Sequence, residues 1–362
     1  MDRATDSTPV EFDMTTRDGR KFSRALTQWI IRWLLFFLIC LGLGYAALQR
    51  YDPRTTPGLT DSTLYYRMVA GEEVQGREMR FRVLVPWVAK PVYMLAKSFL
   101  DPPRSVYLGL LISNSIFCAT TVCLLVAIGI RLTGDPPVAL LAAALYMLNF
   151  ALTNLQLAAM IDTGEACFIL AVVVTLFSKR WWLLPLWGVL GALAKETFLP
   201  LAGAMALVWW YVECGKRPGR ISRLLPIIAM LMVALGTIIT LRSAFAGAIL
   251  ASEVFVRTNA SSGYSGFAAV VWNRTFLYVF VWLLPLGLVR LNRLPRPWVI
   301  ASIAGALLAL ALGAYRNIGG NAARPMFDVV GPILSLSVAT LLTGHTTQTL
   351  RGSTEIPSSP YA

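Results

Sequence analysis

Only one histidine occurs in the 362 residues, His345, and charged residues make up just 14% of the chain. A single histidine near one end leaves no material for His-dependent triads or His-rich metal sites elsewhere. The five cysteines, Cys40, Cys118, Cys123, Cys167 and Cys214, form no CxxC pair and fall in or beside apolar segments. They read as small core residues and exclude a disulfide framework or a zinc site. Soluble domains carry roughly 25% charged residues, so the shortage of charge argues against a soluble enzyme.

Apolar sequence is what the chain has in quantity. Hydrophobic residues reach 56%, and runs near the ~20 residues needed to cross a bilayer recur from end to end. The pattern predicts an all-α polytopic membrane protein. Ten spans are assigned: 26–48, 105–130, 137–155, 164–177, 182–194, 198–212, 221–241, 271–290, 298–314 and 326–343. Several are short, notably the pair flanking Lys195, which suits segments that dip into the membrane around a polar turn. The formal charge of +13 accompanies no RNA- or DNA-binding motif, so nucleic acid is not expected as a partner. The basic residues instead mark headgroup contacts and cytoplasmic loops.

Arg131, Lys179-Arg180, the cluster from Lys216 to Arg223 and the cluster from Arg290 to Arg296 fall on one side in this ten-span reading. The positive-inside rule makes that side the cytoplasm, with both termini there. Residues 1–25 are then a polar cytoplasmic tail, 26–345 one transmembrane domain, and 346–362 a disordered cytoplasmic tail. The long loop 49–104 lies outside, although 50–104 holds nine Lys or Arg. Two short helices are expected in it. The first runs from Asp61 to Ala70, with Gly71 ending it. The second, Phe81 to Phe99, is an apolar interfacial helix broken by prolines and lysines.

Ionisable groups at membrane depth are costly and mark function by default. On the expected outer face these are Asp61; Arg80 and Arg82; Asp162 and Glu165; Lys195 and Glu196; and Arg316 with Arg324. Asp61 is either a general base or a helix N-cap. Arg80 and Arg82 suit phosphate with a two-pronged fork, or anchor the interfacial helix in headgroups. Lys195 and Glu196 form either a self-neutralising pair or a phosphate-binding lysine oriented by its neighbour. Asp162 also sits at a capping position. Arg324 binds a ligand near Gly319-Gly320 or anchors a span.

Together these residues resemble the GT-C superfamily of membrane glycosyltransferases, which use polyprenyl-phosphate-linked sugars. The features that carry the likeness are Asp61 in a long first outer loop, two short helices in that loop, the Lys195-Glu196-Thr197 turn between short segments, and Arg324 before a late span. The pattern DSTLYYRMVAG…MRFRVLVPWVAKP, with Tyr65 and Tyr66, is similar to bacterial GT-C-like proteins of unassigned substrate.

The resemblance implies a GT-C-like bundle in a bacterial inner membrane. It implies a polyprenyl-phosphate sugar donor and a glycan, lipid or protein acceptor, and it is compatible with an envelope-biosynthesis complex. Asp61 would act as base, and Arg80, Arg82, Lys195 and Arg324 would neutralise the departing phosphate. Tyr65, Tyr66, Asp162, Glu165, Glu196 and Arg316 would support them, with fixed cations able to replace a metal, a divalent ion left open, and no other cofactor. Two departures keep other readings open. Ser62 follows Asp61 where protein O-mannosyltransferases carry Asp-Glu, and the outer loops hold no DxD motif of the oligosaccharyltransferase kind. A non-catalytic partner in polysaccharide assembly, or a lipid or solute transporter, are the alternatives.

Overall fold

The computed structural model describes residues 14–50, 60–72, 81–157, 160–214, 220–246, 268, 270–315 and 322–344. Every regular element among them is helical. In chain order they are α1 (Met14–Arg50), α2 (Thr60–Ala70), α3 (Leu84–Ala96), α4 (Pro102–Thr133), α5 (Pro136–Met147), a π-helical turn (Leu152–Gln156), α6 (Asp162–Phe177), α7 (Leu184–Ala194), α8 (Phe198–Cys214) and α9 (Arg220–Ala246). Then follow α10 (Arg274–Phe280), α11 (Leu283–Arg290), α12 (Arg296–Tyr315) and α13 (Ala323–Leu342).

Five stretches are long and apolar enough to cross a membrane: Leu26–Ala46, Pro102–Thr133, Ile221–Phe245, Arg296–Ala314 and Ala323–Leu342. A sixth is formed if α10 and α11, bent by 42° at their junction, count as one span. The most apolar windows of α4 and α13 are 72% and 83% buried inside the protein, against 17% for α1 and 22% for α9. So α4 and α13 are the central helices, while α1 and α9 turn most of their apolar surface outward.

Local sequence accounts for the helix ends. Proline opens α4 and α5, where its missing N–H costs nothing. Gly134 closes α4 in the left-handed region, φ 69°, which a Cβ disfavours. Gly71, φ 81°, follows α2 as expected. The apolar helix anticipated over Phe81 to Phe99 is the shorter α3, which packs along α4. Their backbones approach so closely at Gly109 that a Cβ there would lie 2.8 Å from the carbonyl oxygen of Ala89.

Two expected spans are broken. The run 137–155 stops at Met147, and Asn149 fixes the break. Its Oδ1 accepts from the Ala151 N–H at 2.9 Å, and its Nδ2 donates to the Val279 carbonyl at 3.0 Å. The following π-turn carries Gln156 inward, fully buried. The run 271–290 is the bent α10–α11 pair. Hydropathy averages over such breaks, because the residues on both sides remain apolar. The cysteines are free and buried, as expected.

The α3–α4 contact generates a test. Gly109→Ala forces the two backbones apart and should cost about 1–3 kcal/mol. Gly236→Ala, in α9 with open space around it, should be neutral or stabilising by up to about 1 kcal/mol. Thermal unfolding of the purified protein in detergent measures both.

Candidate functional site

The charged residues singled out in the sequence meet where the start of α6, the α7–α8 turn, the segment before α3 and the start of α13 come together. Asp162 and Glu165 occupy the first turn of α6, three residues apart and therefore on one face. Negative charge is favoured there by the helix dipole. Gly164 between them is buried, and a Cβ on it would sit 3.2 Å from both Ala194 and Val85. That small residue lets the turn pack directly against α3 and α7.

Asp162 is not the N-cap that its position suggests. Ile161 holds that place, with no side-chain cap hydrogen bond. The Asp162 carboxylate is spent on cations instead. Lys195 Nζ lies 2.6 Å from Asp162 Oδ1, and Arg324 Nη1 donates to Asp162 Oδ2 at 3.3 Å. The same ammonium is 2.7 Å from Glu165 Oε2. Thr197 Oγ1 donates to the other Glu165 oxygen. Lys195 reaches both carboxylates because it ends α7 with an extended backbone, φ −166° and ψ 140°, that leaves the helical path.

Lys195 and Glu196 therefore do not pair with each other. Glu196 faces Arg82, which grips it with two prongs: Nε to Oε2 at 2.9 Å and Nη2 to Oε1 at 2.6 Å. The third guanidinium nitrogen, Nη1, donates to the Tyr65 hydroxyl at 2.8 Å. Arg82 is 8% exposed and Tyr65 fully buried. This clamp joins α2 to the α7–α8 turn. Next to it, the Arg242 guanidinium lies 5.3 Å from the Phe81 ring centre, so the end of α9 covers the same segment. Tyr66 packs against Tyr107, ring centres 5.7 Å apart.

Deeper residues complete the cluster, and two of them, Asp328 and Gln156, were not singled out in the sequence. Asp328, one turn into α13, is fully buried and accepts from Gln156 Nε2 at 2.6 Å. Ligand oxygens of Asp162, Glu165 and Asp328 lie within 4.8 Å of one another, close enough to hold a metal ion. Asn114 of α4 braces the floor: its Nδ2 donates to the Met160 carbonyl at 2.7 Å, and its Oδ1 accepts from Thr163 Oγ1 at 2.6 Å. An acid inside an apolar run, as in RPMFDVVGP, is the signal that could have flagged Asp328.

Asp61 lies in the first turn of α2, but its side chain is outside the described residues, as are Arg80 and Arg316. The structure thus brings together Arg82, Tyr65, Glu196, Lys195, Asp162, Glu165 and Arg324, drawn from parts of the chain up to 259 positions apart (Tyr65 to Arg324).

The clamp sets a pH dependence. Burial alone would raise the Glu196 carboxyl, but the Arg82 guanidinium outweighs it and holds the group at about 2 against an ordinary 4.5. A carboxyl held low by folding adds stability above its unfolded value and loses it as pH falls toward the folded one. The thermal midpoint should therefore drop as pH falls from about 4.5 toward 2, and Glu196→Gln should flatten part of that drop. Arg82→Met leaves the carboxylate buried and unpaired and should cost about 3–5 kcal/mol, much of it recovered in the Arg82→Met, Glu196→Met double variant.

Set against protein-family models and against curated proteins, the chain matches none of them.

Proposed function

We propose that this chain is an integral-membrane glycosyltransferase that moves a sugar from a polyprenyl-phosphate carrier to an acceptor on the outer face of the membrane. The observation that carries the reading is the convergence of three scarcely exposed cations, Arg82, Lys195 and Arg324, on one carboxylate cluster beside α2. Buried cations held ready in a low-dielectric setting suit the charge that develops on a departing phosphate. In this reading α5 to α8 and the α10–α11 pair also cross or enter the bilayer, which brings the spans to ten with both termini cytoplasmic. The membrane is a bacterial inner membrane.

Asp61 deprotonates the acceptor hydroxyl, and the oxygen then attacks the anomeric carbon as the carrier phosphate leaves. Arg82, Lys195 and Arg324 exchange part of their carboxylate contacts for that phosphate. Tyr65 holds Arg82 in place, and Glu196 and Asp162 set the resting positions of the cations. In this reading Arg80 helps neutralise the phosphate and Arg316 supports it, and Tyr66 packs the loop helix.

A specific observation favours a second reading. Asp328 and Gln156 carry the polar cluster inward from the turn, into helices of the bundle. A polar path continuing from there would suit a lipid or solute transporter.

Photo-crosslinking with a polyprenyl-phosphate analogue separates the two. Wild-type labelling that falls in Lys195→Ala and Arg324→Gln, with folded protein verified by its thermal midpoint, is the expected result. Transfer abolished in Asp61→Asn with crosslinking retained would assign the base. Labelling that is absent, or indifferent to both cations, removes the transferase reading.

A further inference from the structure

Cationic and carboxyl side chains in the cluster are not equal in number. Among the described residues three cations, Arg82, Lys195 and Arg324, meet four carboxylates, Asp162, Glu165, Glu196 and Asp328. Asp328 is the one left over. It is fully buried, its Oδ1 accepts from Gln156, and its Oδ2 has no hydrogen-bond partner among the described residues. The Gln156 side-chain oxygen is also buried without a donor, although its amide group touches Asp328. Glu165 Oε2 meets the Lys195 ammonium only as a charge contact, with no aligned hydrogen bond. Buried acceptors without donors are costly, and charged ones more so. A positive charge among these oxygens removes the cost at each of them together.

We propose that Asp162, Glu165 and Asp328, with the Gln156 side-chain carbonyl, bind a divalent cation of the Mg²⁺ or Mn²⁺ class. The donor set is oxygen only, with neither histidine nor thiolate in it, which selects hard cations. Asp162 and Glu165 are the two carboxylates that Lys195 holds. A metal shares them with Lys195, loosens both ion pairs and frees the ammonium to face another ligand. The choice of a divalent ion rests on the polyprenyl-phosphate reading. With all four carboxylates ionised, the cluster alone carries one net negative charge, which repels a phosphate. A single added charge brings it to neutrality. A divalent ion brings it to plus one, the sign that receives an anion. Metal binding therefore precedes phosphate binding, and the metal dependence that the sequence leaves open is assigned to this cluster.

Manganese titration of the purified full chain in detergent, read as free Mn²⁺ by electron paramagnetic resonance, tests this with the metal alone. Wild-type protein should bind one Mn²⁺ per chain, displaceable by Mg²⁺. Asp328→Asn and Glu165→Gln should each weaken binding about tenfold or more. Asp101→Asn, in a surface pair with Arg104, should bind as wild type. Without metal, Asp328→Asn should also have the higher thermal midpoint, because it removes the uncompensated charge. Failure to bind stoichiometrically at millimolar Mn²⁺, or wild-type affinity in Asp328→Asn, overturns the proposal. An Asp328→Asn midpoint equal to that of wild type, with no metal response in either, assigns a proton to the fourth carboxylate and overturns it too. Since no sugar donor or lipid phosphate is present, a negative result leaves the crosslinking test of the phosphate site intact.

Discussion

One ammonium group organises the centre of this molecule. Lys195 leaves the end of α7 in an extended conformation and places its charge between Asp162 and Glu165. Remove it, and two carboxylates face each other at the start of a buried helix. Such repulsion in a low-dielectric setting is severe. The contact also fixes geometry: it ties the α7–α8 turn to α6, and through Asp162 it reaches Arg324 at the start of α13. Helices that pack by apolar contact alone could slide, while a buried ion pair has one register. The polar cluster thus orients apolar helices that would otherwise be weakly specified.

Around that centre the small residues decide how near the backbones come. Gly109 lets α3 lie against α4, and Gly164 lets the acidic turn of α6 press against α3 and α7. Within a membrane the hydrophobic effect contributes little between helices, and close packing through small side chains takes over. The acidic turn can be buried because α4 reaches up with Asn114 to satisfy Met160 and Thr163. Charge, close approach and hydrogen bonding therefore support one another at the same few positions.

Much of this was legible in the sequence, and the rest was not for identifiable reasons. Arg82, Asp162, Glu165, Lys195, Glu196 and Arg324 stood out because charge is scarce in apolar surroundings. Their pairings did not, because Lys195 and Glu196 are neighbours in sequence yet face opposite partners, a consequence of one extended residue between two helices. Helical class and the long spans followed from composition. The break at Asn149 did not, since apolar residues flank it on both sides. Asp328 was hidden inside an apolar run that reads as span, and Gln156 matters only because a π-turn rotates it inward.

The Arg82 clamp has a consequence for selectivity. All three guanidinium nitrogens and both Glu196 oxygens are engaged, so an incoming anion joins by exchange and not by addition. Its binding energy is the difference between two partnerships. A ligand offering a single oxygen replaces one prong and leaves the carboxylate as the better partner. A ligand with two oxygens at carboxylate-like spacing competes on equal terms. If the clamp receives the carrier phosphate, as the transferase reading has it, it acts as a filter by geometry that favours a forked oxyanion over a spherical anion.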